Sequence, residues 1–160
     1  MTESTQNDRT HFEAVFDIKY GIQFNDLNSR FYRRIDSAFS VINVLGGSAV
    51  FIGLFKQMPI TSAAIGLFIA ILSYIDREIK PIEKAIKCER QKKKFGKLFA
   101  KTDTMTLQDI DKELRLLQSH SPLTIDSLAM PAFIKTMNSN GFDSSYLKLN
   151  PLQKLYSWIA

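Results

Sequence analysis

The chain has 160 residues, 45% of them hydrophobic, a net charge of +5 and a mean hydropathy near zero, which admits one domain or a membrane hairpin with attachments. Its single cysteine, Cys88, excludes an intramolecular disulfide and a cysteine-based zinc cluster. With no Gly-rich phosphate loop, GxSxG, HExxH or CxxC, the strong local catalytic signatures are missing, and an enzyme is the least supported class.

Residues 1–11 are polar, lack the apolar segment of a cleavable signal peptide and read as disordered. From residue 12 to 36, Phe12, Phe16, Tyr20, Phe24, Leu27, Phe31 and Ile35 recur at steps of four and three, the stripe of an amphipathic helix that needs a partner for its apolar face. Gly21 is expected to loosen this helix, at about 1 kcal/mol relative to Ala. No stop signal separates it from the apolar segment beyond Asp36.

Between Arg34 and Asp76 only Asp36 and Lys56 are charged. Lys56 divides two apolar runs, 37–55 and 57–75, each about 19 residues, enough for a helix to cross a hydrocarbon core of roughly 30 Å. Lys56, Gln57, Met58 and Pro59 form a connection so short that the spans must be antiparallel neighbours, with Pro59 suited to open the second helix. The expected fold is therefore all-α, a transmembrane hairpin over 37–75 with flanking cytoplasmic helices. A hairpin buried inside a soluble bundle is the competing reading, since a helix apolar all round is buried in protein or in lipid.

Small residues recur as Ser62, Gly66 and Ala70 on the second run and as Gly46, Ala49 and Gly53 on the first, rows that permit close helix packing within the hairpin or between subunits. Asn43 is the amide inside a span, with Ser40 and Gly47 on the same stripe. It either forms an interhelical hydrogen bond or, with those two, lines a pore, which two spans per subunit could enclose only as a homo-oligomer.

The apolar pattern continues through Ile79, Ile82 and Ile86 into a basic helix over 76–101, with Pro81 expected to kink it and act as a hinge. Cationic residues flank both runs, and Arg33, Arg34, Arg77, Lys92, Lys93 and Lys94 are expected to meet anionic lipid headgroups. That places both termini in the cytoplasm by the positive-inside rule. Nucleic-acid binding is the less favoured use of this charge. Cys88 reads as an ordinary helix residue, although basic neighbours could lower its pKa. Over 102–160, Thr106 and Asp109 form a capping-box variant opening a helix to about Gln118. Two shorter helices are expected, one from near Pro131 to Gly141 and one from Pro151 with Leu152, Leu155, Tyr156 and Ile159 aligned. No residue set implies a metal or cofactor; His11 and His120 stand apart, and the acidic residues Asp109, Asp111 and Glu113 alternate with Lys112 and Arg115 on a solvated helix.

This order of parts, with Phe31-Tyr32-Arg33-Arg34, the tight hairpin, the basic extension carrying Phe95-Gly96-Lys97-Leu98-Phe99, and Ser121-Pro122 before a second amphipathic segment reaching Phe142, resembles the SLATT family of bacterial two-transmembrane proteins. The resemblance implies a pore-forming effector of antiphage defence at the bacterial inner membrane, encoded near a nucleotide-synthase or sensor partner. It carries no catalytic residues. A membrane-anchored adaptor acting through residues 107–160 and a soluble helical binding module are the alternatives.

Overall fold

The computed structural model describes residues 9–46 and 59–160. Among them are six α-helices, two 3₁₀ turns and no strand. We label the helices α1 (His11–Gly46), α2 (Pro59–Ile79), α3 (Pro81–Phe99), α4 (Leu107–Ser119), α5 (Ala129–Ser139) and α6 (Pro151–Ile159). The sequence expectations for residues 1–8 and for the turn at Lys56, Gln57 and Met58 fall outside the described residues.

α1 is one uninterrupted helix of 36 residues, about 54 Å at 1.5 Å per residue. Partners surround its middle: from residue 25 to 32 only Arg30 is exposed. The helix is thus not amphipathic in the simple sense expected from its Phe and Tyr stripe. One side carries that stripe, with Phe16 edge-on to Phe133 of α5 and Phe31 against Tyr156 of α6. The other carries Ala14, Ile18 and Gly21 towards α3 and α4. Asn28 can be buried between these faces because both ends of its amide find partners. Asn28 Nδ2 donates to the Phe24 carbonyl, and its Oδ1 accepts the Ile125 N–H, each at 2.8 Å.

α3 lies antiparallel to α1, as Lys84 over Tyr32, Arg33 with Glu89, Lys92 with Asp26 and Phe95 against Gly21 show in succession. Its inward residues are Pro81, Ala85, Cys88, Gln91, Phe95 and Leu98. Ile79, Ile82 and Ile86, the apolar line expected from periodicity, are exposed instead. Small Ala85 and Cys88 at the contact allow the helix axes to approach, which bulky isoleucines would prevent.

α2 and α3 do not form one kinked helix. Lys80 between them adopts φ 48° and ψ 60°, a left-handed conformation that costs a non-glycine residue roughly 1–2 kcal/mol. Pro81 then opens α3 at a first-turn position where a missing N–H leaves no intrahelical bond unmade.

Thr106 caps α4, accepting the Asp109 N–H at 3.3 Å. At α6, Asn150 and Gln153 form a reciprocal capping box. The Pro131 segment begins earlier than expected, because a 3₁₀ turn at Asp126–Leu128 leads directly into α5. Two core clusters result. Ala14, Ile18, Phe95, Leu98, Ile110 and Leu114 close one end of the bundle, while Leu27, Phe31, Tyr32, Ala85, Cys88, Leu128, Ala132 and Ala160 fill the end nearer the apolar runs.

Candidate functional site

Beyond Ile35 on α1 and before Ile79 on α2, the two helices leave the bundle together. Ser73 Oγ donates to Asn43 Oδ1 at 2.6 Å and lies 2.9 Å from the carbonyl oxygen of Ile69, so its proton joins the two helices in the half of each run nearer the bundle. Asn43 is half-buried on the α2 side, whereas Ser40 is exposed beside Val41, Val44 and Leu45. Of the expected stripe, Asn43 therefore contacts Ser73 of α2 and Ser40 is exposed. Gly47, Ala49 and Gly53 lie outside the described residues. Gly46 ends α1, and Ser62 lies in the first turn of α2.

The outer surface of this pair is apolar. Val44 is 72% exposed, Leu67 65% and Phe68 60%, and Val41, Leu45, Ile71 and Tyr74 are also exposed. Gly66 and Ala70 face outward too, and a Cβ at Gly66 would meet nothing within 4 Å. Of the small-residue row on α2, Gly66 and Ala70 are thus exposed among the described residues. Among the described residues no helix is long and apolar enough to cross a membrane. Of the first apolar run, only the part to Gly46 is described.

The bundle base below this pair is built from ion pairs, of which the i,i+4 spacing of Glu89 and Lys93 on α3 shows in the order of residues and the pairs between helices do not. Glu89 is paired with Arg33 and lies 3.6 Å from Lys93; the Arg33 hydrogen bond and charge hold its carboxyl below the usual range. Arg34 Nη1 donates to the carbonyls of Trp158 (2.9 Å) and Ile159 (2.8 Å), capping the C-terminal end of α6. Asp26, nearly buried, takes Lys92 at 2.8 Å, Arg30 at 3.0 Å and Lys135 at 3.7 Å. Burial alone would raise its pKa, but the Lys92 hydrogen bond and the three cations outweigh it and the net shift is downward.

Of the expected headgroup residues, Lys92 reaches Asp26 on α1, Lys93 lies beside Glu89 on its own helix, and Lys92–Lys94 stand about 17–20 Å along α3 from Pro81 at 1.5 Å per residue. Arg33, Arg34 and Arg77 lie at the hairpin base, and among the described residues Arg77 has no ion-pair partner. Farther up α3, Lys94, Lys97 and Lys101 line a cavity of about 450 Å³ with Leu98, Met105, Glu113 and Leu117.

Cys88 is fully buried, and burial pushes its thiol up to about 11, so it is a packing residue rather than an activated thiol. At the far end of the bundle, Arg9 pairs with Asp17 and Asp111, and burial raises the Asp17 carboxyl despite that cation. Among the described residues no group of three or more His, Cys, Asp or Glu could hold a metal ion.

No protein-family model matches the chain, and neither a curated protein nor a solved structure matches it. The SLATT resemblance therefore rests on the order of parts and on the residues quoted for it.

Proposed function

We propose that this chain is a bacterial membrane effector whose helical hairpin over 37–75 inserts in the inner membrane, associates with further copies and depolarises it. The observation that carries this reading is the apolar outer surface of the α1–α2 pair, where seven large side chains from Val41 to Tyr74 stand exposed on helices that have left the bundle. A contiguous exposed apolar surface of this kind marks a membrane or protein contact. Two apolar runs of about 19 residues, each matched to a hydrocarbon core of roughly 30 Å, favour lipid. In lipid, an Asn–Ser bond between helices is worth about 1 kcal/mol, and the outward Gly66 and Ala70 offer a second copy close approach.

The test is graded expression in bacteria, with the protein followed in alkali-washed membranes and the membrane potential followed by dye. The expected result is depolarisation that rises with membrane abundance and is lost in Gly66→Leu and Asn43→Leu at equal abundance. A protein that washes out of the membrane overturns the hairpin. One that stays while the potential holds, with or without a co-expressed neighbouring operon, reduces it to an anchor.

A further inference from the structure

α6 presents a second apolar face that the bundle does not use. Tyr156 and Ile159 turn inward against Phe31 and Ile35, yet Leu152 (60% exposed), Leu155 (51%) and Trp158 (79%) stand outside. This departs from the expected single aligned face: the helix has an inner apolar edge and an outer one.

The position of that outer edge is set by Arg34. Its guanidinium holds the carbonyls of Trp158 and Ile159, and Arg34 lies three residues, about 4.5 Å of helix rise, before the first apolar run. The last turn of α6 is therefore level with the base of the hairpin. Ile79 and Ile82, also exposed, flank the break at Lys80 at the same end of the bundle. From residue 144 to 160 the chain carries Lys148 and Lys154 and no Asp or Glu.

We infer that α6 is an interfacial helix that lies on the same bilayer the hairpin enters, with Leu152, Leu155 and Trp158 in the headgroup–acyl boundary and Lys148 and Lys154 facing anionic headgroups. An apolar edge bordered by lysines is the pattern of helices that bind at this depth, and tryptophan prefers it because its ring is apolar and its N–H needs a polar partner. Continuity with the apolar hairpin surface selects lipid over a second protein chain. The helix would fix the height and tilt of the bundle above the membrane, with Arg34 as the tie. The inference rests on the proposed membrane insertion and adds a lipid contact outside the hairpin.

Trp158 is the only tryptophan, so its emission reports on α6 alone. The full chain is reconstituted in phosphatidylcholine–phosphatidylglycerol vesicles with lipid brominated near the headgroup end of the acyl chain, then washed with alkali to score the hairpin independently. The expected result is a blue-shifted emission quenched by the brominated lipid and shielded from acrylamide, with both effects lost in Leu152→Glu/Leu155→Glu while the protein stays in the washed vesicles. Retained protein whose Trp158 is open to acrylamide and untouched by bromine overturns the inference and leaves the hairpin standing. Shielding from both quenchers overturns it in favour of a second copy on this face. Protein that leaves the vesicles on washing overturns the hairpin, and the lipid contact falls with it.

Discussion

Replacing Gly21 by alanine should destabilise the protein, although on a solvated helix the same change stabilises by about 1 kcal/mol. A methyl group at Gly21 would come 2.6 Å from Phe95 Cε1, 2.8 Å from Cδ1 and 2.9 Å from Cζ, roughly 1 Å inside normal carbon contact. The ring cannot swing away, because Phe95 is 3% exposed and wedged in the core cluster with Ile18, Leu98 and Ile110. Overpacking of this kind costs roughly 1–3 kcal/mol, occasionally more. Set against the helix-propensity gain of about 1 kcal/mol, a net loss of up to about 2 kcal/mol remains. Phe95→Ala alone should cost about 3–5 kcal/mol. In that background the methyl group enters a vacated space, and Gly21→Ala should stabilise by about 1 kcal/mol. The reversal amounts to a coupling of roughly 1–3 kcal/mol in a double-mutant cycle. Denaturant titration of the four proteins in one detergent, followed by circular dichroism, measures it. If Gly21→Ala stabilised both backgrounds, the close approach of α1 and α3 at this point would be refuted.

Asp26→Asn should cost about 2–3 kcal/mol at neutral pH, since it leaves Lys92, Arg30 and Lys135 converging on a neutral group in a mostly buried site. The Asp26 carboxyl has a lowered folded pKa, so its contribution is present above the ordinary 3.8 and is lost as pH falls through the lower folded value. The two proteins should therefore converge in stability in acid; a gap that persisted there would show that the amide fails for another reason. Cys88 should resist maleimide at pH 8 in the folded protein and react after denaturation, as mass spectrometry would show. Because its folded pKa is raised from 9.0 to about 11, its stabilising contribution is complete below pH 9 and declines as pH rises towards 11. Lys80→Gly should stabilise by about 1 kcal/mol by accepting the left-handed conformation without a Cβ penalty, and the exposed Lys80–Glu83 contact at 3.6 Å that it removes contributes little. Thermal melts would check it, and a loss of stability would refute the strain assigned to Lys80.

Local signals in the sequence set the helices well. The Phe and Tyr stripe from Phe12 to Ile35 runs into the apolar segment with no breaker, and the structure has one helix there; Thr106, Pro131 and Pro151 mark the later helices because capping and proline geometry are local. Which face turns inward is not legible on α3. Periodicity ranks Ile79, Ile82 and Ile86 above Ala85 and Cys88, but the distance between two helix axes rewards the small residues. Gly21 escapes propensity reasoning on the same ground: its need is a Phe95 ring 74 residues later, which no local rule detects. Asn25 and Asn28 look out of place on an apolar helix until Gly21 and Phe24 offer carbonyls and Ile125 its N–H. At the hairpin base, lysines and arginines are legible as a cationic belt. That Lys92 and Arg33 are spent on Asp26 and Glu89 depends on which helix faces which, and that information is tertiary. Arg34 as the clasp of α6 leaves no signal at all, since its acceptors are backbone carbonyls.

The two strands of connection between bundle and hairpin are mechanically unlike. α1 passes through unbroken, so its N-terminal half and Asn43 belong to one continuous helix. The return path is bent: left-handed Lys80 keeps its bond to the Asp76 carbonyl and accepts the Lys84 N–H, but Pro81 beside it has no N–H to give, so α2 and α3 run as two helices. The pair therefore meets the bundle through one continuous helix and one bent connection, and the Asn43–Ser73 hydrogen bond ties the two together beyond it.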